Sequence, residues 1–200
     1  YWAGDDDLDD PFNAKICAGL QRLSQSDVPL FFMAGNRDFL AGDGFASKAG
    51  LTLLPDPALV EIAGASVLLM HGDTLCTDDD AYQMFRTEVR SPEWRKSFLA
   101  LPLDQRKAKI EALRQESEAQ KRAKPAEIMD VNPAAVLQVL TSHRCTRLIH
   151  GHTHRPALHR LAVAGEACER WVLPDWYERG GYLACDASGC RLLEWPPAAV

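Results

Sequence analysis

The stretch Arg147-Leu-Ile-His-Gly-His-Thr-His-Arg-Pro156 sets a short strand-like run, Arg147 to His150, directly against a glycine and two closely spaced imidazoles. Two further stretches share this arrangement. Pro29-Leu-Phe-Phe-Met-Ala34 leads into Gly35-Asn-Arg-Asp38, and Ser66-Val-Leu-Leu-Met70 leads into His71-Gly-Asp73. Short apolar runs bounded by turn residues read as buried strands running into loops. In open α/β sheets the carboxyl ends of the strands converge on one edge, so polar clusters far apart in sequence can meet there.

Working outward, short strands are expected over residues 51–54 and 59–62, separated by Pro55 and Pro57. From Asp78 to Lys124 the pattern is helical, with breaks at Pro92 and Pro102. Asn132-Pro133 opens another helix, with Asn132 as its N-cap and Pro133 at the first helical position. The tail from Arg170 to Trp195 reads as strands joined by glycine-containing turns. Strands mixed with helices predict a layered α/β architecture, and there are no internal repeats. A chain of 200 residues with 46% hydrophobic content is expected to form one globular domain.

No stretch approaches the roughly 20 continuous apolar residues of a membrane-spanning helix. The opening Tyr-Trp-Ala-Gly-Asp-Asp-Asp carries neither a basic region nor an apolar core, so a secretory leader is not expected there. The six cysteines make no C-x-x-C pair, and scattered thiols point to a reducing, cytoplasmic compartment. Cys185 and Cys190 flank Asp-Ala-Ser-Gly and can face each other across a hairpin; reduced core thiols are the reading favoured here. The net charge of −6 argues against a nucleic-acid partner. Its distribution is uneven: residues 86–124 hold 11 of the 22 Lys and Arg against six acids, making that stretch +5 and the remainder −11. Such a run is either a solvated helix surface or a face for an anionic partner.

The three clusters carry the chemistry. Neutral imidazoles and an Asn carbonyl suit borderline divalent ions such as Mn²⁺, Zn²⁺ or Fe²⁺. Glycine beside each cluster lets the backbone turn sharply. His152-x-His154 in a turn can direct two imidazoles to two adjacent ions. Each cluster also has a plainer reading: Asn36 can cap a turn while Arg37 pairs with Asp38, and His71 can be a structural histidine at a strand end. The order of all three, each after an apolar strand, is what points to a metal site.

With those residues in place, the chain resembles the calcineurin-like metallophosphoesterases, whose second half carries Gly-Asn, then His-Gly, then Gly-His-x-His. Within them, four stretches resemble the UDP-2,3-diacylglucosamine hydrolase family: Gly35-Asn-Arg-Asp-Phe-Leu40, Met70-His-Gly-Asp-Thr-Leu-Cys-Thr-Asp-Asp79, Ile128-Met-Asp-Val-Asn132 and Ile149-His-Gly-His-Thr-His-Arg-Pro156. Arg37 is the discriminating residue, since many relatives of the superfamily have His there. The resemblance implies a layered sheet sandwich flanked by helices, with a helical lid inserted at about residues 78–125. It implies hydrolysis of the pyrophosphate of UDP-2,3-diacylglucosamine to lipid X and UMP, in lipid A biosynthesis, by an enzyme resting peripherally on the cytoplasmic face of the inner membrane. No obligate protein partner is evident.

By the same resemblance two divalent ions, Mn²⁺ in the first instance, are expected. Asn36, His71 and His152 would serve one and His154 the other. Arg37, Asn36 and His152 would act on the reacting phosphoryl group, and Asp38 and Asp73 would support the ligands from behind. Asp79, Ser117, Lys121 and Lys124 would join Asn36, Arg37 and His152 in contacting substrate. The superfamily also begins with Asp-x-His and Gly-Asp after its first two strands, and neither stands in a suitable position here; Gly4-Asp5 has no strand before it. The expectation is therefore a chain lacking the first strand-helix-strand unit, holding at most one ion weakly and inactive by itself. The competing readings are a metallophosphoesterase for another phosphoester and a non-catalytic remnant.

Overall fold

The computed structural model describes residues 1–123, 128–177 and 180–196, apart from the side chains of 118–123. They fall in two compact units, Tyr1–Pro55 with Asp80–Pro125, and Asp56–Asp79 with Ala126–Val200.

In the first unit helix α1 (Pro11–Ser24) starts with Pro11 at its first position, and the Asp10 carboxylate accepts from the Phe12 and Asn13 N–H groups at 3.0 and 3.4 Å. Strands β1 (Phe31–Met33) and β2 (Thr52–Leu54) pair in parallel, joined through helix α2 (Asp43–Ala49). Parallel neighbours need such a crossover. The cap of α2 comes from far along the chain: the Asp5 carboxylate accepts from the Gly42 and Phe45 N–H groups, both at 3.1 Å, and from the Trp2 indole at 2.9 Å. Cys17, Ala41, Phe45 and Ala49 form the core, with the Trp2 and Phe32 rings 4.9 and 5.2 Å from that of Phe45.

Helices α3 (Asp80–Val89), α4 (Pro92–Leu99) and α5 (Leu103–Ala123) divide where Pro92 and Pro102 predict. Ser91 caps α4, accepting from the Trp94 N–H at 3.2 Å. The basic run is not wholly a solvated surface. Arg106 is 1% exposed, donating to the carbonyls of Ala3 and Leu101 and pairing with Asp6. Its guanidinium holds the Asp6 carboxyl below the usual range. Lys107 pairs with Asp7 at 2.8 Å, and Phe98 is buried, stacked on Trp94 with ring centroids 4.5 Å apart. Part of the expected anion-facing surface is thus spent on the acidic segment of residues 5–10.

The second unit holds the larger sheet. Strands β3 (Ala58–Ile62) and β4 (Ala65–Met70) form a hairpin through Ala63-Gly64, both at positive φ. Helix α6 (Pro133–His143) opens as its sequence predicts, the Asn132 side-chain oxygen accepting from the Ala134 and Ala135 N–H groups. Strand β5 (Arg147–His150) follows, then a second hairpin of β6 (Ala157–Val163) and β7 (Glu166–Val172), turned by Ala164-Gly165, again both at positive φ. Positive φ at both central residues matches the right-handed twist of the flanking strands. The order is β3-β4-β5-β7-β6, with β4, β5 and β7 parallel and the edge strands antiparallel.

Alternation along the strands gives the sheet two buried faces. Leu68, Met70 and Leu148 pack with Val136 and Leu140 of α6. Val67, Ile149 and Trp171 point the other way, under Leu183, Cys185, Cys190 and Leu192 of the hairpin β8 (Gly180–Asp186) and β9 (Gly189–Trp195). The architecture is mixed α/β, a mixed sheet with flanking helices. Two expectations change. β6 was not foreseen, because polar His159-Arg160 interrupts the apolar pattern of this edge strand. Cys185 and Cys190, directly opposed in the hairpin, are joined as a disulfide rather than reduced, whereas Cys17, Cys76, Cys145 and Cys168 are buried thiols outside any disulfide. No helix among the described residues is long and apolar enough to cross a membrane.

Candidate metal centre

Strands β4 and β5 are parallel neighbours in register Met70↔His150, so they end level and release their polar clusters side by side. The Gly151 N–H donates to the His71 carbonyl at 3.0 Å, tying the two loops at the point of exit. The His71 and His152 rings then lie edge to face, with centroids 5.0 Å apart. His152 and His154 both take left-handed backbone, φ 66° and 54°. Non-glycine residues adopt it uncommonly, and it persists where the surroundings enforce it. The turn is held by the Thr153 N–H donating to the Gly151 carbonyl at 2.8 Å. The half-exposed His154 ring stands 5.6 Å from that of Tyr177, with Nδ1 3.8 Å from the Asp175 carboxylate.

Gly72 permits this closeness. Its φ is 110°, and a Cβ there would come within 2.8 Å of His150 Nδ1 and 3.0 Å of the Gly151 carbonyl oxygen. Gly72→Ala is therefore expected to cost about 1–3 kcal/mol in denaturant unfolding, combining backbone strain with displacement of the imidazole loop. Stability within a few tenths of a kcal/mol of wild type would show that the loops tolerate separation.

Around this centre several carboxylates and amides fix loops. Asp73 is fully buried and opens the turn Asp73–Leu75. Asp130 accepts from the Val131 N–H and from Arg155, while Asn132 donates its side-chain amide to Asp78 at 2.7 Å and its backbone N–H to the Leu75 carbonyl. Burial, with the nearby Asp130 carboxylate adding, pushes the Cys76 thiol up to about 12, so it is a core group rather than a nucleophile. Burial takes His150 down to about 4, keeping it neutral. Asp79 is half-buried at the end of this segment.

The cluster Gly35–Asp38 belongs to the first unit, in the turn leaving β1. The Gly35 N–H donates to the Asp38 carboxylate at 2.6 Å, so Asp38 closes the turn. Arg37 does not take Asp38 as its partner in that turn: its guanidinium lies 4.7 Å over the Tyr1 ring, and its carbonyl accepts from the Trp2 N–H at 2.9 Å. Arg90 donates to the Gly35 carbonyl at 3.2 Å. Asn36 is half-buried, as is Ser117 on α5; the Lys121 side chain and Lys124 lie outside the described residues.

Of the predicted ligands, His71 and His152 are brought together and His154 follows on the same turn. Among the described residues no group of three or more His, Cys, Asp or Glu side chains forms a metal-sized cluster. Imidazoles paired at a strand edge are donors of the type that suits a borderline divalent ion. What the sequence did not disclose is the support: His150, Arg155, Asp130 and Arg170. An isolated His just before the Gly-His-x-His stretch was the available signal.

No family model matches the chain. Among curated proteins it is similar to the UDP-2,3-diacylglucosamine hydrolase of Aromatoleum aromaticum, 50% identical over 200 residues, covering 100% of this chain and 79% of the relative. The protein of that name from Pseudomonas putida is 48% identical over 191 residues, covering 96% of this chain and 79% of the relative. The Enterobacter protein so named is 46% identical over 195 residues, covering 98% and 81%. With that identity sustained along nearly the whole of its length, the chain belongs to the UDP-2,3-diacylglucosamine hydrolase family.

Proposed function

We propose that the protein is a hydrolase that cleaves the pyrophosphate bond of UDP-2,3-diacylglucosamine, releasing UMP and 2,3-diacylglucosamine 1-phosphate in lipid A biosynthesis. The observation that carries this reading is the 50% identity to a UDP-2,3-diacylglucosamine hydrolase over all 200 residues. The pairing of His71 with His152 supports it.

In this reading Asn36, His71 and His152 are ligands to one divalent ion and His154 to a second, Mn²⁺ being the first candidate. Such ions supply Lewis-acid polarisation of phosphoryl oxygens and lower the pKa of water. Imidazole nitrogens would offer lone pairs to such an ion, and the left-handed backbone at His152 and His154 sets the direction of those two rings. Water attacks the α-phosphorus, and UMP takes up the oxygen it brings. Arg37 donates to the phosphoryl oxygens as their charge grows, a role its planar fork of N–H groups suits. Asp73 supports the ligand-bearing loop from its buried position, and Asp38 holds the turn that carries Asn36 and Arg37. Asp79, Ser117, Lys121 and Lys124 contact the substrate.

Helices α3, α4 and α5 form the lid over the acyl chains. Supporting this, Met84, Phe85 and Leu99 are exposed large apolar side chains, and α4 also carries the exposed Lys96. Apolar and basic side chains together suit a peripheral contact with anionic lipid.

The experiment is a substrate panel on the complete gene product with Mn²⁺. UDP-2,3-diacylglucosamine is expected to release UMP, with UDP-N-acetylglucosamine and simple phosphomonoesters turned over far more slowly. Preference for a monoester would assign the chain to another phosphoesterase activity.

A further inference from the structure

We propose that Arg170, on the strand beyond the imidazole-bearing one, is a positioning residue that locks His150 and through it the turn presenting His152 and His154. The inference rests on the reading of those two histidines as metal ligands.

Strands β5 and β7 pair in parallel with Leu148↔Arg170 and His150↔Val172. With a period of two, His150 and Arg170 share one face of the sheet. His150 has no exposed surface, and its Nε2 lies 3.1 Å from an Arg170 guanidinium nitrogen. A guanidinium has donors only, so Nε2 is the acceptor. The ring proton of neutral His150 therefore sits on Nδ1, which lies 2.9 Å from the Gly151 carbonyl and donates to it. That carbonyl also accepts from the Thr153 N–H, which fills both of its lone pairs. The Gly151 N–H is committed to the His71 carbonyl. Gly151 is thereby fixed on both sides, toward His71 and toward the turn.

An apolar pair of equal volume would fill the same space without the cost of burying a ring nitrogen and half-burying a guanidinium. What the polar pair adds is direction. It holds one tautomer, and that tautomer restrains the carbonyl on which the left-handed turn closes. Support of this kind behind metal ligands typically carries about 10–100-fold in metal affinity or activity.

The test uses the complete gene product and three readouts. In the metal-free wild type, ¹⁵N NMR of the imidazoles should show His150 protonated on Nδ1; protonation on Nε2 overturns the proposal. Titration calorimetry with Mn²⁺ should show Arg170→Met binding about 10–100-fold more weakly than wild type. Arg170→Lys, which keeps a donor, should recover most of that affinity. His150→Leu should match Arg170→Met, and the double variant should be no worse than either single one, as expected of residues acting as a unit. A fall in melting temperature with unchanged Mn²⁺ affinity would make the pair merely structural and overturn the proposal. Should Arg170→Met fail to fold, Arg170→Lys and the tautomer decide in the same way. Wild-type protein that binds no Mn²⁺ overturns the metal reading and this inference with it. Tight wild-type binding with equal affinity in Arg170→Met overturns this inference alone.

Discussion

Replacing His152 by Ala is expected to weaken Mn²⁺ binding by more than about a hundredfold and to abolish measurable UMP release, since loss of a ligand should exceed the loss of an outer-shell partner. The His152 ring lies 5.0 Å from that of His71, at the level edge of two parallel strands. No compensating imidazole stands beside them among the described residues. The backbone at this position is left-handed, which alanine tolerates no better than histidine, so the substitution brings no relief of strain to confuse the measurement. Metal affinity by calorimetry and UMP release should fall together. His143→Ala, in the last turn of α6, serves as a control and should change neither. Wild-type affinity in His152→Ala would remove that imidazole from the ligand set.

Arg37→Ala should lose roughly 2–4 kcal/mol of transition-state stabilisation, a drop of about 30- to 900-fold in kcat, with Mn²⁺ affinity unchanged. The turn carrying Arg37 is closed by Asp38 on the Gly35 N–H and by Arg90 on the Gly35 carbonyl, so truncating Arg37 leaves the turn its own supports. Arg37→Lys should recover only part of the loss, because an ammonium cannot present the two parallel donors of a guanidinium. Near-normal turnover in Arg37→Ala would show that the phosphoryl charge is stabilised elsewhere.

The parts of the fold that the sequence discloses are those with a local physical signature. Proline and Asn132 mark the starts of α4 and α6, and buried strands β4 and β5 show as apolar runs stopped by a polar cluster. The meeting of His71 with His152 was readable because both follow such strands. The cap of α2 by Asp5 was not, since nothing nearby in sequence signals a partner some forty residues away. Arg106 looks like any cation of an amphipathic helix until the Ala3 and Leu101 carbonyls and Asp6 are placed around it. The Arg170–His150 contact depends on strand order β5-β7, a crossover that skips β6. The Cys185–Cys190 disulfide had its hairpin spacing in view, but the scattered distribution of the other thiols outweighed it.

The most direct test of the account is hydrolysis of UDP-2,3-diacylglucosamine by the complete gene product in ¹⁸O-labelled water, with mass analysis of both products. Attack of water at the α-phosphorus predicts one labelled oxygen in UMP and none in the phosphate of 2,3-diacylglucosamine 1-phosphate. Label in the lipid product, or no UMP formed at all, would contradict it.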